Sequence, residues 1–549
     1  MKKFLCLICS MMLFMTGCAY EFVSLSRQVR AQDTALLEAE NLVVTGTSAA
    51  HFGTSLNLSM RSPRTLNPLI NQDKSVDRIL RLIFEPITEV RENMRPTPNL
   101  ASRINFAADG MSAVVTLRED VFWSDGIRMT SSDVAFSVGV IRGNLGSEIY
   151  RKIIRDISAI EIIDSSNFRV RFSRPQGGMS YALNFPVIPR HHYEGHINFS
   201  SWVNMLPVGN GLFRVESIEP VNRAVLVPNE VSIRGGNRPY IERVYVLMTD
   251  DATTDLMAFE QGIINALSTD VTAFGRFSGA RAVTTTTYDT NNFVFLGFNL
   301  ARPLTAQPGI REAVAHALDR EHVVESIYLG RGQKAATIIN PVSYLFRSDI
   351  SAQEFNMEEA RNILFNIGTT NQEGALSLEV NGGDHRLEFR LLVNEESPER
   401  VAIAGHLRDN LELLGMIIHL DIYDFETYLS RLNAGNFDLF LGAFNFDVMP
   451  DFKPLFHSNS IGPHSYNNFA FRSEAVDEIL GHIDGAGNEE ELWSFVSELQ
   501  EAIATEKPLI PIVFTQRALL TDARIIGDIR PVMNNIFSNV GQWRIEWAN

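Results

Sequence analysis

All three cysteines of this 549-residue chain, Cys6, Cys9 and Cys18, fall within its first 18 residues, and none follows. Lys2 and Lys3 precede an apolar stretch that runs from Phe4 to Met15. That stretch is too short for a membrane-spanning helix, which takes about 20 residues, and it fits the apolar core of a cleaved export signal. Cys6 and Cys9 leave with such a signal. The exported body then has no disulfide to staple it and must hold together by apolar burial, for which its length is ample. A single core stops growing near ~250–300 residues, so two or three lobes are expected. With 45% hydrophobic and 21% charged residues the chain reads as globular rather than disordered or polytopic. Its 65 acids against 48 bases, a formal charge of −17, argue against nucleic acid or an anionic lipid surface as the main partner.

The apolar stretch closes on Met15-Thr16-Gly17-Cys18, which resembles the bacterial lipoprotein signal. The resemblance implies cleavage after residue 17 and a lipid-modified, palmitate-bearing Cys18 at the new N-terminus. It also implies a membrane-anchored, extracytoplasmic location, on the outer face of the cytoplasmic membrane or in a periplasm. Removing residues 1–17 deletes two lysines and no acid, which takes the charge to −19. Residues 18–40 read as a tether, and a short surface helix over 19–40 fits the same residues.

Beyond Leu42, strand-like runs alternate with helical stretches. Val114–Leu117, Phe168–Phe172, Val225–Val227, Val244–Met248 and Phe293–Phe298 read as strands from alternation or from β-branched and aromatic content. Ser397-Pro398 starts a helix that ends by Gly415, ahead of a strand Ile417–Ile422. Asn356 with Glu359 looks like a capping box with Gly368 as the stop, and Ser473 opens another helix. Helix–strand units of this kind imply an α/β architecture.

No phosphate-binding Gly-rich loop, zinc helix or Gly-x-Ser-x-Gly elbow is present, so no enzyme activity, cofactor or metal is expected. His191 and His192 are adjacent and point apart on a regular element, which suits surface positions better than a metal site. His457 and His464 lie in one Pro/Gly-containing stretch where a loop can bring them together.

Separated segments, in order, resemble the peptide/nickel class of extracellular solute-binding proteins that serve ABC importers. They begin with Thr65-Leu66-Asn67-Pro68, Phe84-Glu85-Pro86 and Pro98-Asn99-Leu100-Ala101. The densest run is Leu117-Arg118-Glu119-Asp120-Val121-Phe122-Trp123-Ser124-Asp125-Gly126, continued by Ser132-Asp133-Val134-Ala135-Phe136. Then come Gly209-Asn210-Gly211-Leu212-Phe213, Ala317-Leu318-Asp319-Arg320, Gly435-Asn436-Phe437-Asp438-Leu439 leading to Asp447, and Pro508-Leu509-Ile510-Pro511. Locally, Asp125-Gly126 makes a turn, and Asp133 and Asp319 are expected to cap the helices they precede.

The resemblance implies a two-lobed periplasmic-binding-protein-like fold with a hinge and an extra inserted domain. Lobe I would comprise 41–66, 196–290 and 508–549, the inserted domain 67–195, and lobe II 291–507. The implied function is capture of an oligopeptide in the inter-lobe cleft and delivery to ABC permease and ATPase subunits, by a monomer. A nickel chelate, an opine or an oligosaccharide as cargo, or a peptide sensor or chaperone role, is the alternative within the class.

In peptide-binding members an aspartate after the Gly-x-Phe-Asp-Leu strand pairs with the ligand's α-ammonium, and Asp447 stands there. Phe444, Asn445 and Phe446 precede it, and the backbone of 442–446 would add main-chain hydrogen bonds to an extended peptide. A carboxylate between aromatic neighbours is expected to be partly desolvated; a turn cap before Pro450 is the competing role for Asp447. The loop Asn71-Gln72-Asp73 should also reach the cleft. Phe84, Phe122, Trp123, Phe136, Phe293, Phe295 and Phe298 are assigned to packing. Two departures from the class, Ala443-Phe444 where tryptophan is common and Gly209–Phe213 without the usual proline and tyrosine, leave the pocket's shape open.

Overall fold

The computed structural model describes residues 55–546 apart from 176, 179, 220, 234–237, 270–276, 278–281, 371–375 and 463–464. The expected signal, Cys18, the tether, most of segment 41–66 and His464 lie outside the described residues.

A four-stranded sheet runs in the order Ser55–Met60, Arg243–Met248, Arg223–Pro228, Phe213–Glu219. A second, antiparallel throughout, runs Ala101–Phe106, Ser112–Leu117, Asn167–Phe172, Ile157–Ile162. Alternation along its middle strands buries Ala113, Val115 and Leu117 beside Phe168, Val170 and Phe172. The helix Ser131–Arg142 covers that face with Val134, Val138 and Ile141, and both sheets share one core. Asp133 helps to cap this helix, but from the third helical position: Thr130 is the N-cap, and the two residues make a capping box. Asp133 sits one turn in, accepting from Thr130 N at 2.8 Å and Arg190 N at 2.8 Å, because the chain is already helical at Ser131. Asp319 does cap, accepting from His322 N at 2.9 Å.

The Gly209–Phe213 segment is a structural knot. Gly211 N donates to Ile83 O at 2.7 Å, and Ser124 N donates to Gly209 O at 2.8 Å. A Cβ at Gly209 would stand 2.1 Å from Ile83 O, so only glycine lets these backbones approach. Asn210 is 0% exposed, and its Oδ1 accepts from Glu85 N at 2.9 Å. Asn210→Ala strands that amide and is expected to cost about 1–3 kcal/mol, read as a shift of the urea unfolding midpoint. An unchanged midpoint would mean that water replaces the side chain.

The third sheet has seven strands. Its path is Ala266–Thr269, Leu509–Asp522, Val283–Phe298, Leu439–Asn445, Glu388–Asn394, Ile417–Tyr423, with Gly332–Lys334 also paired to Leu509–Asp522. The last three strands of the path are parallel and are joined by the helices Pro398–Leu413 and Phe425–Asn433. Successive residues serve opposite faces. Val294, Leu296 and Phe298 enter the core closed by the helices Pro308–Ala317 and Pro398–Leu413. Phe293 and Phe295 enter the core closed by the helices Phe425–Asn433, Glu474–Gly485 and Glu489–Glu506. Two of the expected caps hold, with Asn356 Oδ1 accepting from Glu358 N and Glu359 N and Ser473 Oγ from Val476 N, whereas Ser397 stands at the N-cap of its helix without a side-chain cap bond.

Val283–Phe298 and Leu509–Asp522 pair antiparallel over most of their length and belong to two cores. Tyr288 and Leu519 pack with the first two sheets, whereas Leu296 and Ile510 pack in the third. Their register runs from Val283↔Asp522 to Asp289↔Gln516, breaks, and resumes at Phe293↔Phe514. Side chains replace the missing ladder bonds. Thr290 Oγ1 donates to Thr515 O at 2.7 Å, Asn292 Nδ2 to Thr515 Oγ1 at 3.1 Å, and Asn340 Nδ2 to Thr290 O at 2.8 Å.

Candidate ligand-binding cavity

A cavity of about 1410 Å³ opens at this register break. Its walls include Thr290, Asn292, Gln516 and Arg517 from the two long strands and residues 443–447 from the end of Leu439–Asn445. Residues 533–536 and one face of the helix Lys74–Leu80 complete it on other sides. That helix turns Val76, Ile79 and Leu80 into the core, and the i, i+3, i+4 set Lys74, Asp77 and Arg78 to the cavity.

Asp447, Phe444, Asn445 and Phe446 all line the cavity. Asp447 is exposed rather than partly desolvated, because the chain has left the sheet by that point. Its backbone oxygen accepts from Asn291 Nδ2 at 3.2 Å, while its carboxylate has no hydrogen-bond or ion-pair partner among the described residues. Phe446 is 4% exposed, its ring 5.5 Å from Phe452 and 6.1 Å from Phe293, so it is floor rather than platform. Phe444 is half-buried and meets Tyr466 edge-on at 5.7 Å. Tyr466 is 58% exposed, lines the cavity and lies in a loop where no periodicity marks it. The strand Leu439–Asn445 pairs with Glu388–Asn394 only through Leu439 and Phe440, which leaves its edge from Gly442 to Asn445 without a strand partner among the described residues.

Asn71, Gln72 and Asp73 do not line the cavity. Asn71 bonds to the Asp73 backbone, and Asp73 caps the helix Lys74–Leu80 by accepting from Ser75 N at 2.7 Å and Val76 N at 3.1 Å. Burial pushes the Asp73 carboxyl up, but the Ser75 and Val76 bonds prevail and hold it below the usual carboxylate range. The loop therefore positions the helix whose next residues line the cavity.

The chain is acidic, yet the cavity carries nine Lys or Arg against seven Asp or Glu. Four of those acids are engaged by cavity cations. Arg81 faces Asp77 at 3.5 Å, and Arg155 reaches Asp451 at 3.3 Å. Arg174 bridges Asp156 at 2.9 Å and Asp484 at 2.8 Å, and Lys453 also pairs with Asp484. Arg78 and Arg517 have no hydrogen bond or ion pair among the described residues. Sequence reasoning missed both, since 439 positions separate them.

Among the described residues no three His, Cys, Asp or Glu side chains gather to hold a metal. His191 and His192 diverge, to Asp125 Oδ2 at 2.7 Å and Leu206 O at 3.0 Å. Of the seven aromatics assigned to packing, Phe84, Trp123, Phe293, Phe295 and Phe298 are buried, and Phe122 and Phe136 are half-buried. No helix among the described residues is long and apolar enough to cross a membrane.

This is a two-lobed, periplasmic-binding-protein-like α/β fold with an open cavity at the strands that join its cores. The profile of the bacterial extracellular solute-binding proteins, family 5 (middle), matches residues 95–465, and the chain belongs to that family. The oligopeptide-binding protein AppA of Bacillus subtilis (strain 168) is 23% identical over 470 residues, 82% of this chain and 84% of its own length. The nickel-binding periplasmic protein of Escherichia coli (strain K12) is 20% identical over 447 residues, 79% and 84% of the two chains. The ABC transporter substrate binding protein CtaP of Listeria monocytogenes shares the fold with a TM-score of 0.73 at 20% identity, over 90% of this chain and 99% of that one.

Proposed function

We propose that this protein is the lipid-anchored substrate-binding subunit of an ABC importer that captures an oligopeptide and hands it to a membrane permease. The observation that carries the reading is the strand edge from Gly442 to Asn445, which has no strand partner among the described residues and leads to the Asp447 carboxylate, which has no hydrogen-bond or ion-pair partner among them either. An extended peptide adds to such an edge through main-chain bonds, and its α-ammonium meets Asp447. The peptide-binding relative supports the same cargo.

In this reading Cys18 carries the lipid, and the lobes are 41–66, 196–290 and 508–549 against 291–507, with 67–195 inserted. The hinge lies at the register break, where 290–292 face 515. Pairing of Leu509–Phe514 with 293–297 supports moving the second crossing from 508 to about 515. Closure selects ligand through its differential affinity for the two states. A metal chelate is the second reading, supported by the nickel-binding relative and by the cavity's surplus of cations.

Native mass spectrometry of the gently purified body tests the choice. Copurified peptides of narrow length are the expected result. A copurified metal chelate would transfer the cargo to the second reading, and a protein stabilised by neither peptide pools nor chelates in thermal shift would sink both.

A further inference from the structure

We infer that the segments 67–195 and 291–507 are latched to each other beside the cavity by protein contacts alone, and that ionic strength opens this latch. The inference rests on the lobe boundaries proposed above. One turn of the second lobe, between the helices Glu474–Gly485 and Glu489–Glu506, receives three separate stretches of the inserted segment. Arg95 sends a fork to Glu489, with Nε donating to Oε1 at 2.9 Å and Nη2 to Oε2 at 2.7 Å. Gly110 packs on Gly487, where a Cβ on Gly110 would stand 2.6 Å from Gly487 Cα. Arg174 reaches Asp484 at 2.8 Å, and a Cβ on Gly177 would stand 2.7 Å from both Asn488 O and Leu492 Cβ. Between the same two segments, Tyr344 N donates to Asn93 O at 3.1 Å and Arg155 reaches Asp451 at 3.3 Å.

The charges across this seam are sorted by sign. Among the described residues three ion pairs cross it. Every cation, Arg95, Arg155 and Arg174, stands on the inserted segment, and every acid, Glu489, Asp451 and Asp484, on the second lobe. Such sorting draws the two faces together before they touch, over a range set by the Debye length of about 10 Å at 0.1 M salt. Asp156, on the same segment as Arg174, holds it at 2.9 Å and keeps it aimed when the faces part. Each pair alone is worth little, because all three are at least partly exposed.

The glycines turn attraction into fit. Without a Cβ at 110 or 177 the backbones reach contact, and Tyr181, Ala486 and Leu492 end 6%, 1% and 1% exposed. Every partner in the seam is a protein group, so these contacts add to whatever grip the cargo supplies. Release of cargo is then expected to quicken with salt.

Amide hydrogen exchange on the mature protein in detergent, dialysed without added ligand and read at single amides, tests the latch. The reporter is the Tyr344 amide, whose acceptor lies across the seam; the amides of Leu391–Val393, 0% exposed in the third sheet, report the second lobe's own fold. Raising NaCl from about 0.05 M to about 0.5 M should speed exchange at Tyr344 about 10-fold and leave Leu391–Val393 unchanged. Gly177→Ala adds a methyl whose three nearest atoms all belong to the second lobe, and should speed exchange at Tyr344 about 10- to 100-fold at low salt. Arg95→Gln removes a side chain that hydrogen-bonds only to Glu489 among the described residues. It should speed exchange about 3-fold, and it keeps the test open should Gly177→Ala fail to fold. Exchange at Tyr344 that neither salt nor either variant moves would overturn the latch. Exchange that rises in step at Tyr344 and Leu391–Val393 under Arg95→Gln would make the two segments one body and overturn the lobe boundaries with it. Neither reporter involves cargo, so a protein that binds no peptide and no chelate leaves the latch standing while the cargo reading falls.

Discussion

Asp447→Ala is expected to weaken binding of an unblocked peptide by about 10- to 100-fold while leaving stability within about 0.5 kcal/mol of wild type. The second half follows from what surrounds the residue. The carboxylate is exposed and engages no donor among the described residues, so nothing in the fold is stranded when it goes. The first half follows from charge. An ammonium placed there makes a charge-assisted hydrogen bond that alanine cannot supply. Asp447→Asn keeps an acceptor and loses the charge, so it should fall between the two. N-acetylated peptides, lacking the ammonium, should bind wild type and Asp447→Ala alike. Calorimetry with matched free and acetylated peptides checks this, and an unblocked peptide that binds the alanine variant as tightly as wild type would remove Asp447 from recognition.

The contrast with Arg78 and Arg517 shows what local sequence can carry. Asp447 is legible because it follows a strand whose pattern is itself legible, and one step along the chain takes it from ladder to cavity. Caps are legible for the same reason: Asn356 and Ser473 act within three residues of themselves. Even there the reach is short. Asp133 reads as a cap and does complete a capping box with Thr130, but its other bond, from Arg190 N 57 residues on, is one that no local pattern carries. The Asn71–Asp73 loop was expected to reach the cleft, and the residues that line the cavity there belong to the helix it caps. The arginine pair has no local signature at all, since a helix near the start of the described chain and a strand near its end supply one guanidinium each.

Aromatic residues mark the other limit. Alternation assigns Phe293 to packing, yet it cannot say which rings it meets or that one of them, Phe446, lines the cavity. Phe293 is 0% exposed, stacked on Phe514 at 5.0 Å and Phe295 at 5.3 Å, and it resumes the ladder where the long strands lose register. Phe446 leans on it at 6.1 Å, and Phe444 in turn lies 4.8 Å from Phe446. Phe293→Ala is therefore expected to cost about 3–5 kcal/mol, the transfer of a full ring plus the cavity left behind. It should also weaken ligand binding, because the floor under Phe444 loses its support. Phe444→Ala offers the control: that ring is half-buried at the cavity wall, so its removal should cost less stability than the Phe293 change while still reducing affinity. Urea unfolding and peptide calorimetry on both variants separate the two contributions. If Phe293→Ala lost stability but bound peptide as wild type does, the aromatic column would be a core element that happens to underlie the cavity, and the site would rest on the strand edge and its charges alone.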